Sequence, residues 1–251
     1  MLRLGHITFA CEDTRAVAEF WAAVLGYEVV SSDADWFARG EGPELFFKRM
    51  RKSPTIELPI HLDVNVPDRE VEVNRIIGLG AKLVETKTSE AGELKETFTV
   101  LRDPEGNGFC VQGPDPRRPH PYVGNVTFSC AEPRRVLGPF WAQALDSPEQ
   151  EIEESFLQML RNAHVDVDRE LYAYYAIDRD ASRPRFLFQR REKSRPDSYP
   201  IHLDFVADDR NAEIERLTSA GATLVEKRHA GDQAWTVLHD PEGNPFCVLD
   251  S

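Results

Sequence analysis

The sequence lacks a long apolar run, since none reaches the roughly 18 to 20 residues that a membrane-spanning helix needs. It also opens without a signal-peptide pattern, so we expect a cytoplasmic protein with no membrane partner. Cysteine is scarce, at four residues, and no pair has the spacing of a zinc finger or a redox motif. We therefore expect buried structural thiols rather than disulfides.

Basic charge is in short supply as well. The chain has 30 Lys and Arg residues against 43 Asp and Glu residues, which gives a formal net charge of −13. Such a chain has no general basic field to attract phosphates, so a nucleic-acid partner is not expected. A hydrophobic content of 41% over 251 residues is enough to build real cores.

What the sequence does have is an internal repeat. Residues 60–63 and 201–204 both read Ile-His-Leu-Asp, and residues 103–107 and 240–244 both read Asp-Pro-Glu-Gly-Asn. Self-similarity of this kind predicts two copies of one structural unit. We expect a first domain at 1–112, a proline-rich linker at 113–121 and a second domain at 122–251.

The second copy carries an insertion. Trp21 and its counterpart Trp141 are 120 positions apart, whereas His61 and His202 are 141 apart, so the second copy gains 141 − 120 = 21 residues between them. The extra residues fall near 148–181. They begin after Ser147-Pro148, a suitable helix cap and first-turn proline, so we predict an added helix that packs on the domain or covers a site.

Strand alternation assigns polar side chains to one face of each predicted sheet. His6 and Thr8 alternate with Ile7 and Phe9, and the Ile-His-Leu-Asp strands alternate in the same way. The apolar face is expected to take the helices. The polar face would gather two sets, one for each copy: His6, Thr8, His61, Asp63, Cys110 and Gln112, and then Asn125, Thr127, His202, Asp204 and Cys247.

The five-residue turn Asp-Pro-Glu-Gly-Asn precedes the last strand of each copy. Its proline, glycine and asparagine are typical of tight turns, so we interpret it as a structural hairpin turn rather than as a site. The four cysteines also repeat, as Cys11 with Cys130 and Cys110 with Cys247, inside apolar strands. A repeated cysteine in such a strand usually acts as a small buried hydrophobe.

These features resemble the vicinal oxygen chelate superfamily, and within it the glyoxalase-like subgroup. The resemblance rests on the repeated βαβββ module, the histidines of the first strands and the Asp-Pro-Glu-Gly-Asn-x-Phe segment, and it covers nearly the whole chain. Members include glyoxalase I, extradiol dioxygenases, methylmalonyl-CoA epimerase, fosfomycin-resistance enzymes and bleomycin-binding proteins. It implies an α+β fold of tandem βαβββ modules, in which each unit has a curled mixed sheet flanked by helices.

The resemblance also implies a metal site inside each curled sheet. Carried over to the first domain, the ligands would be His6, His61 and Cys110, the last of which stands where relatives place a glutamate. In the second domain Asn125 replaces the first histidine and Cys247 again replaces the glutamate. Two alternatives remain open. The first domain binds a divalent zinc, nickel, manganese or iron ion, or its curled sheet binds no metal.

Two functions therefore remain open for a cytoplasmic, small-molecule-binding protein. One is a metal-dependent lyase or isomerase in which Asp63 acts as a base or orients a ligand. The other is a metal-free protein that binds and sequesters an antibiotic or toxin. The expected ligand-binding residues are Thr8, Phe47, Asp63, Gln112, Asn125, Thr127, Phe188, His202, Asp204 and Cys247.

A third interpretation makes the second copy a scaffold for the first. Two copies in one chain can imitate the dimer that single-copy relatives form, so we expect intrachain pairing of the domains and a monomer or weak homodimer.

Overall fold

A computed structural model describes most of the chain. The described residues are 2–32, 35–50, 59–91, 94–116, 118–148, 154–162, 164, 166–167, 173–176, 184–190, 199–230 and 233–251.

The strands of the first copy are β1 (Leu2–Cys11), β2 (Glu28–Ser32), β3 (Asp35–Arg39), β4 (Glu44–Arg49), β5 (Ile60–Asn65), β6 (Lys82–Ala91), β7 (Leu94–Arg102) and β8 (Gly108–Gln112). Those of the second copy are β9 (Tyr122–Cys130), β10 (Ala173–Ala176), β11 (Arg185–Arg190), β12 (Ile201–Ala207), β13 (Thr223–Ala230), β14 (Gln233–His239) and β15 (Pro245–Asp250). The helices are α1 (Thr14–Leu25), α2 (Arg69–Gly78), α3 (Gly138–Leu145), which follows a π-helical turn at Pro133–Leu137, α4 (Glu154–Asn162) and α5 (Arg210–Ser219).

Local sequence signals set the helix boundaries. Asp13 caps α1 by accepting a hydrogen bond from the Ala16 amide, and Gly26 ends the helix in the left-handed conformation at φ 71°. Asp68 caps α2 and Asp209 caps α5 in the same way. Each side chain accepts a hydrogen bond from the backbone amide three residues later. The expected α+β architecture is confirmed.

The two halves of each copy lie in different sheets, and each half shares its sheet with a half of the other copy. One mixed sheet has eight strands in the order β13-β14-β15-β12-β1-β4-β3-β2, and the other has seven in the order β10-β11-β9-β5-β8-β7-β6. We name them cup 1 and cup 2. In cup 1 the antiparallel pair β1–β12 joins the copies, and in cup 2 the pair β5–β9 does so. Each cup therefore takes one half of each copy.

The sheet of cup 1 is strongly curled. Lys48 lies on β4 and Trp235 on β14, and these strands are four steps apart in the sheet. Four steps would span about 19 Å in a flat sheet. The Lys48 Nζ nevertheless lies 5.5 Å from the centre of the Trp235 ring. The polar face is therefore the inside of a concave surface.

The repeated Asp-Pro-Glu-Gly-Asn turn joins the two halves of each copy through contacts with the first helix of that copy and the residues before it. Asp103 is fully buried and accepts hydrogen bonds from the Trp21 indole, 3.3 Å away, and from the Asn107 side chain, 2.7 Å away. The Glu105 carboxylate accepts from the backbone amides of Glu12 and Asp13 at the start of α1. Because these contacts are all structural, they agree with the interpretation of this segment as a turn.

The second copy repeats every one of these contacts. Asp240 accepts hydrogen bonds from Trp141 and Asn244, and Glu242 accepts from the amides of Ala131 and Glu132. Within each copy, helices and turns therefore join the halves, while between copies the strands do so.

The insertion and the linker have partly described structures. Helix α4 lies within the predicted insertion, whereas Ile152 and the side chain of Phe156 lie outside the described residues. In the linker Asp115 is buried and accepts hydrogen bonds from Asn65 and Tyr122.

Among the helices in the described part of the chain, none combines the length and apolar character required to cross a bilayer.

Candidate functional sites on the floors of two cups

A buried carboxylate lies at the centre of the floor of cup 1. Asp204 Oδ2 lies 3.0 Å from His6 Nε2, and Oδ1 lies 3.5 Å from His202 Nε2. The Thr8 hydroxyl also donates a short hydrogen bond to Oδ2. Alternation places His202 and Asp204 on the same face of β12, and the register of β15 brings Cys247 beside Asp204. Two histidines from different copies thus converge on one carboxylate.

The Asp204 carboxyl stays ionised despite its burial. Burial alone would raise its pKa, but hydrogen bonds from His202 and His6 and their charges hold the pKa far below the usual range of an aspartate. Cys247 responds in the opposite direction. Burial and the nearby Asp204 charge both raise the pKa of its thiol. In the absence of a bound cation, the cup 1 floor therefore holds a carboxylate and a neutral thiol.

Cup 2 repeats this floor with one histidine replaced. Asp63 Oδ1 lies 3.4 Å from His61 Nε2, and Oδ2 accepts hydrogen bonds from Asn125 Nδ2 at 2.9 Å and Thr127 Oγ1 at 2.7 Å. Cys110 pairs with Asp63 in register across the parallel strands β5 and β8. Asn125 thus takes the position that His6 has in cup 1.

Electrostatics in cup 2 favour a charged pair. Burial alone would lower the pKa of His61, but hydrogen bonds with Asp63 and Cys110 raise it to about 10. Burial likewise opposes ionisation of Asp63, yet hydrogen bonds from His61, Asn125 and Thr127 lower its pKa. A low pKa makes Asp63 a weak base, which favours an orienting role over the expected role in proton transfer.

The strand next to each floor brings opposite charges into the two cups. In cup 1 the parallel register pairs His6 with Glu44, and Arg39 forms an ion pair with that carboxylate. In cup 2 the same register pairs Asn125 with Arg185, whose Nε donates to Asn125 Oδ1 at 3.1 Å. Arg185 therefore occupies the position equivalent to Glu44.

Aromatic side chains form one wall of cup 1. Phe46 stacks on Phe37 with ring centres 4.8 Å apart and meets the His6 ring edge-on at 5.2 Å. Across the cup, Lys48 lies over both Phe46 and Trp235. A flat ligand with an apolar part and a negatively charged part would find suitable partners there.

Several sequence predictions are wrong in detail. His6 does not join His61 and Cys110, because β1 pairs with β12 and so carries His6 to His202 and Asp204. Phe47 and Phe188 line no cup, because both are fully buried on the core face, where they pack against Phe9 and Phe128 respectively.

The remaining predicted residues lie on cup faces. Thr8, His202, Asp204 and Cys247 belong to cup 1, and Asp63, Asn125 and Thr127 belong to cup 2. Gln112 pairs with Asn65, one row beyond Asp63 in the same cup.

Glu44, Phe46 and Arg185 were missed by the sequence argument, although a signal for them existed. Polar Glu44 and Lys48 flank Phe46 at spacing two, and spacing two means one face of a strand. The same spacing of two along β11 puts Arg185, Leu187 and Gln189 on the cup face.

The donor set of cup 1 fits a divalent cation. Two ligand atoms that each lie about 2.1 Å from a tetrahedral ion are about 3.4 Å apart. The two imidazole nitrogens lie 3.0 and 3.5 Å from the Asp204 oxygens. The ligand atoms of His202, Asp204 and Cys247 also lie within 4.8 Å of one another.

Cup 2 groups His61, Asp63 and Cys110 within the same limit, and Asn125 stands where His6 approaches the carboxylate in cup 1. An amide binds metal ions through its oxygen. The oxygen of Asn125 instead accepts a hydrogen bond from a guanidinium.

An open cleft of about 520 Å³ borders cup 1, because Glu44 belongs to its lining. It is bounded by the 40–44 turn of the first copy, by Arg118 of the linker and by Pro184 of the second copy. Its lining contains no histidine or cysteine. The clustered ligand atoms described above therefore belong to the cups and not to this cleft.

Comparison with known proteins agrees with this geometry. The sequence-family model of the glyoxalase-like domain matches the chain twice, at residues 6–112 and 125–249. The chain belongs to the glyoxalase-like family of the vicinal oxygen chelate superfamily. A comparison with curated proteins found no significant match.

Two solved structures are similar over almost the whole chain. Glyoxalase I from Zea mays is 13% identical with a TM-score of 0.66, covering 100% of this chain and 92% of the other. A putative dioxygenase from Bacillus subtilis subsp. subtilis str. 168 is 13% identical with a TM-score of 0.60, covering 98% of this chain and 84% of the other. At such low identity the likeness shows the shared glyoxalase-like fold.

Proposed function

We propose that cup 1 is the catalytic centre of a metal-dependent lyase or isomerase that acts on a small organic molecule. The observation that carries the proposal is the convergence of His6 and His202 on the buried Asp204 carboxylate. His202, Asp204 and Cys247 hold their ligand atoms within 4.8 Å of one another, and His6 Nε2 lies 3.0 Å from the same carboxylate, so the floor offers imidazole, carboxylate and thiol donors, which suit zinc and other borderline divalent ions.

Each side chain of the floor has a distinct task in this proposal. His6, His202, Asp204 and Cys247 would hold the ion, and Thr8 fixes the carboxylate by hydrogen bonding to it. A bound ion would polarise oxygen atoms of the substrate and stabilise negative charge that develops on them. The wall of Phe37, Phe46 and Trp235 would hold the apolar part of the substrate, and Lys48 would face its negative part.

Metal analysis of protein purified without chelators tests the donor set. We expect about one divalent ion per chain, as one mononuclear site requires. His6→Ala and His202→Ala should lose it, whereas the matched cup 2 variant Asn125→Ala should keep it. Circular dichroism establishes that each variant is folded. Absence of stoichiometric zinc, nickel, manganese and iron from the wild-type protein would refute the proposal.

Hydrogen exchange tests the chemistry separately. A lyase or isomerase of this kind stabilises an enolate, so it should exchange hydrogens next to the carbonyl of small hydroxyketones with D₂O. Proton NMR would detect the exchange, and removal of the metal should abolish it. A metal-loaded protein that exchanges none of the compounds would contradict the enzymatic part of the proposal.

A metal-free binding function is the second candidate. It is favoured by the aromatic wall and by the fact that the Asp204 oxygens already have Thr8 and two histidines as partners without an ion. Thermal-shift measurements with flat aromatic acids and antibiotics on chelator-treated protein would test it. Stabilisation that persists without metal and disappears in Phe46→Ala would support this function over the enzymatic one.

A further inference from the structure

Lys48 lies between aromatic rings on the exposed side of cup 1. It is on the cup face of β4, two residues after Phe46. Its Nζ atom lies 6.0 Å from the centre of the Phe46 ring and 5.5 Å from the centre of the Trp235 ring on β14. Both rings are partly exposed, and Lys48 is exposed. An ammonium group and two accessible aromatic surfaces thus meet in one place.

Two acidic side chains at the sides of cup 1 already have cationic partners. Glu44 on β4 forms an ion pair with Arg39, and Glu226 on β13 forms one with Arg228. Lys48 forms no ion pair with a carboxylate in the described part of the chain, and the contacts of its ammonium group are with rings. Its positive charge is therefore available to a bound anion, in a chain whose net charge is −13.

The charge of Lys48 also acts on the floor of the cup. Burial and the Asp204 charge raise the pKa of the Cys247 thiol, whereas the charges of Arg228 and Lys48 lower it. The ammonium group and the donor atoms of the floor therefore face the same space. A small molecule bound in the cup would lie near both.

The repeat provides a control for this arrangement. Gln189 in cup 2 is the counterpart of Lys48, because the two residues have equivalent positions in the parallel pairs β11–β9 and β4–β1. Leu187 corresponds to Phe46 in the same way. A neutral amide and an aliphatic side chain thus stand where cup 1 has an ammonium group and a ring. The combination of charge and aromatic surface on this strand is specific to cup 1.

We propose that the small molecule of cup 1 is an aromatic carboxylate and that Lys48 is the residue that selects it. The carboxylate would pair with the ammonium group, and the ring would pack against Phe46 and Trp235. An inorganic anion would leave the rings uncovered, and a neutral aromatic molecule would leave the ammonium group without a counterion. As a substrate class this rests on the reaction proposed for cup 1, whereas the binding preference itself needs no metal.

Ligand-observed NMR titration of the full chain tests the preference at constant ionic strength. Benzoate is compared with benzamide, which lacks the charge, and with acetate, which lacks the ring. The protein is treated with chelator, so that no carboxylate can bind through a metal ion. We expect benzoate to bind about fivefold or more tightly than either compound. This comparison uses only the wild-type protein, and equal binding of benzamide or acetate would overturn the proposal.

Variants assign the binding to Lys48. Lys48→Gln introduces the residue type of cup 2 and should weaken benzoate binding about fivefold, whereas Lys48→Arg should retain most of it. Arg49→Gln is the matched control, because it removes the same charge from the opposite face of the same strand. Both residues are exposed, so the changes leave the core intact. Equal losses in Lys48→Gln and Arg49→Gln would indicate only a general charge effect and would refute the site.

Phe46→Leu tests the aromatic part, since it also introduces the residue type of cup 2. We expect it to weaken the binding of benzoate and to leave that of acetate unchanged. Circular dichroism establishes that the variant is folded. Wild-type affinity for benzoate in the folded variant would show that the ring of the ligand does not lie against Phe46.

Metal content separates this inference from the function proposed for cup 1. Lys48→Gln should keep the metal content of the wild-type protein, because Lys48 is not part of the donor set. If the wild-type protein holds no metal but its benzoate binding depends on Lys48, the metal proposal fails and the ligand class stands. If the metal is present and Lys48→Gln binds benzoate as tightly as the wild-type protein, the ligand class is wrong and the metal proposal stands.

Discussion

His6 Nε2 lies 3.0 Å from Oδ2 of Asp204, and the two residues belong to different copies of the repeat. The contact is buried at the seam between β1 and β12. The floor of cup 1 therefore does not exist in either copy alone. Both copies supply residues to each cup, so neither copy is merely a scaffold for a complete site in the other.

The equivalent contact in cup 2 joins Asn125 Nδ2 to Asp63 Oδ2 at 2.9 Å. Backbone register and distance are nearly the same, and only the chemistry of the donor differs. Both donors can satisfy a buried carboxylate, but an imidazole can also bind a metal ion, whereas this amide turns its oxygen to Arg185. Divergence after the repeat formed has thus changed the chemistry of the sites and kept their geometry.

Cutting the linker should leave the two copies associated. A protease site inserted between the exposed residues Pro119 and His120 would separate the chain into its two copies. The ladders β1–β12 and β5–β9 join the fragments independently of the linker. We therefore expect them to elute together in size-exclusion chromatography and to retain any bound metal. Two folded fragments that elute separately would contradict the shared-cup topology.

Local structure was predictable from the sequence because its signals are local. Asp13 and Gly26 are a cap and a terminator of the usual residue types and bound α1 directly, and alternation put His6 and Thr8 on the cup face of β1, as expected. Alternation cannot say which strand becomes a neighbour. For that reason His6 was grouped with His61, although the folded chain places it beside His202.

A consecutive pair of aromatic residues caused the other error. Phe46 and Phe47 are equally suited to a core or a cup by composition, and the prediction of Phe47 as a cup residue is wrong. In the folded chain Phe47 is fully buried and Phe46 faces His6. The charged neighbours Glu44 and Lys48 mark the solvent-facing row, so this error was avoidable. The chain of contacts from Arg185 to His61 was not, because it crosses three strands.

The charged pair of cup 2 should shape the pH dependence of stability. The pKa of His61 is raised to about 10 in the folded protein, against about 6.5 when unfolded. This stabilisation is fully present below about pH 6.5 and is lost as the pH rises towards about 10. Urea unfolding at a series of pH values measures it. His61→Gln should flatten the alkaline decline, and an unchanged slope would contradict the assignment.

The acid side of the same pair behaves in the opposite sense. The pKa of Asp63 is lowered on folding, so its contribution is present above the unfolded value of about 3.9 and is lost as the pH falls below it. Asp63→Asn should therefore show a shallower loss of stability in acid than the wild-type protein. The same urea series provides the measurement, and equal acid slopes would exclude a role for this carboxylate.

The glutamate of each repeated turn should stabilise the fold without affecting the cups. Glu105 accepts hydrogen bonds from two backbone amides at the start of α1, and Glu242 does the same before α3. We expect Glu105→Ala and Glu242→Ala each to reduce the free energy of unfolding by about 1–2 kcal/mol. Glu215→Ala, on the exposed face of α5, should change it by less than about 0.5 kcal/mol. Metal content should stay constant in all three.

Adjacent phenylalanines should separate stability from binding. Phe47 is fully buried against Phe9, so Phe47→Ala should cost about 3–5 kcal/mol in the free energy of unfolding. Phe46 lies on the cup face against Phe37 and His6, so Phe46→Ala should cost about 1 kcal/mol. Only Phe46→Ala should weaken the binding of flat ligands to cup 1, as read by thermal shift in protein that remains folded. Equal stability losses at the two positions would show that the face assignment of β4 is wrong.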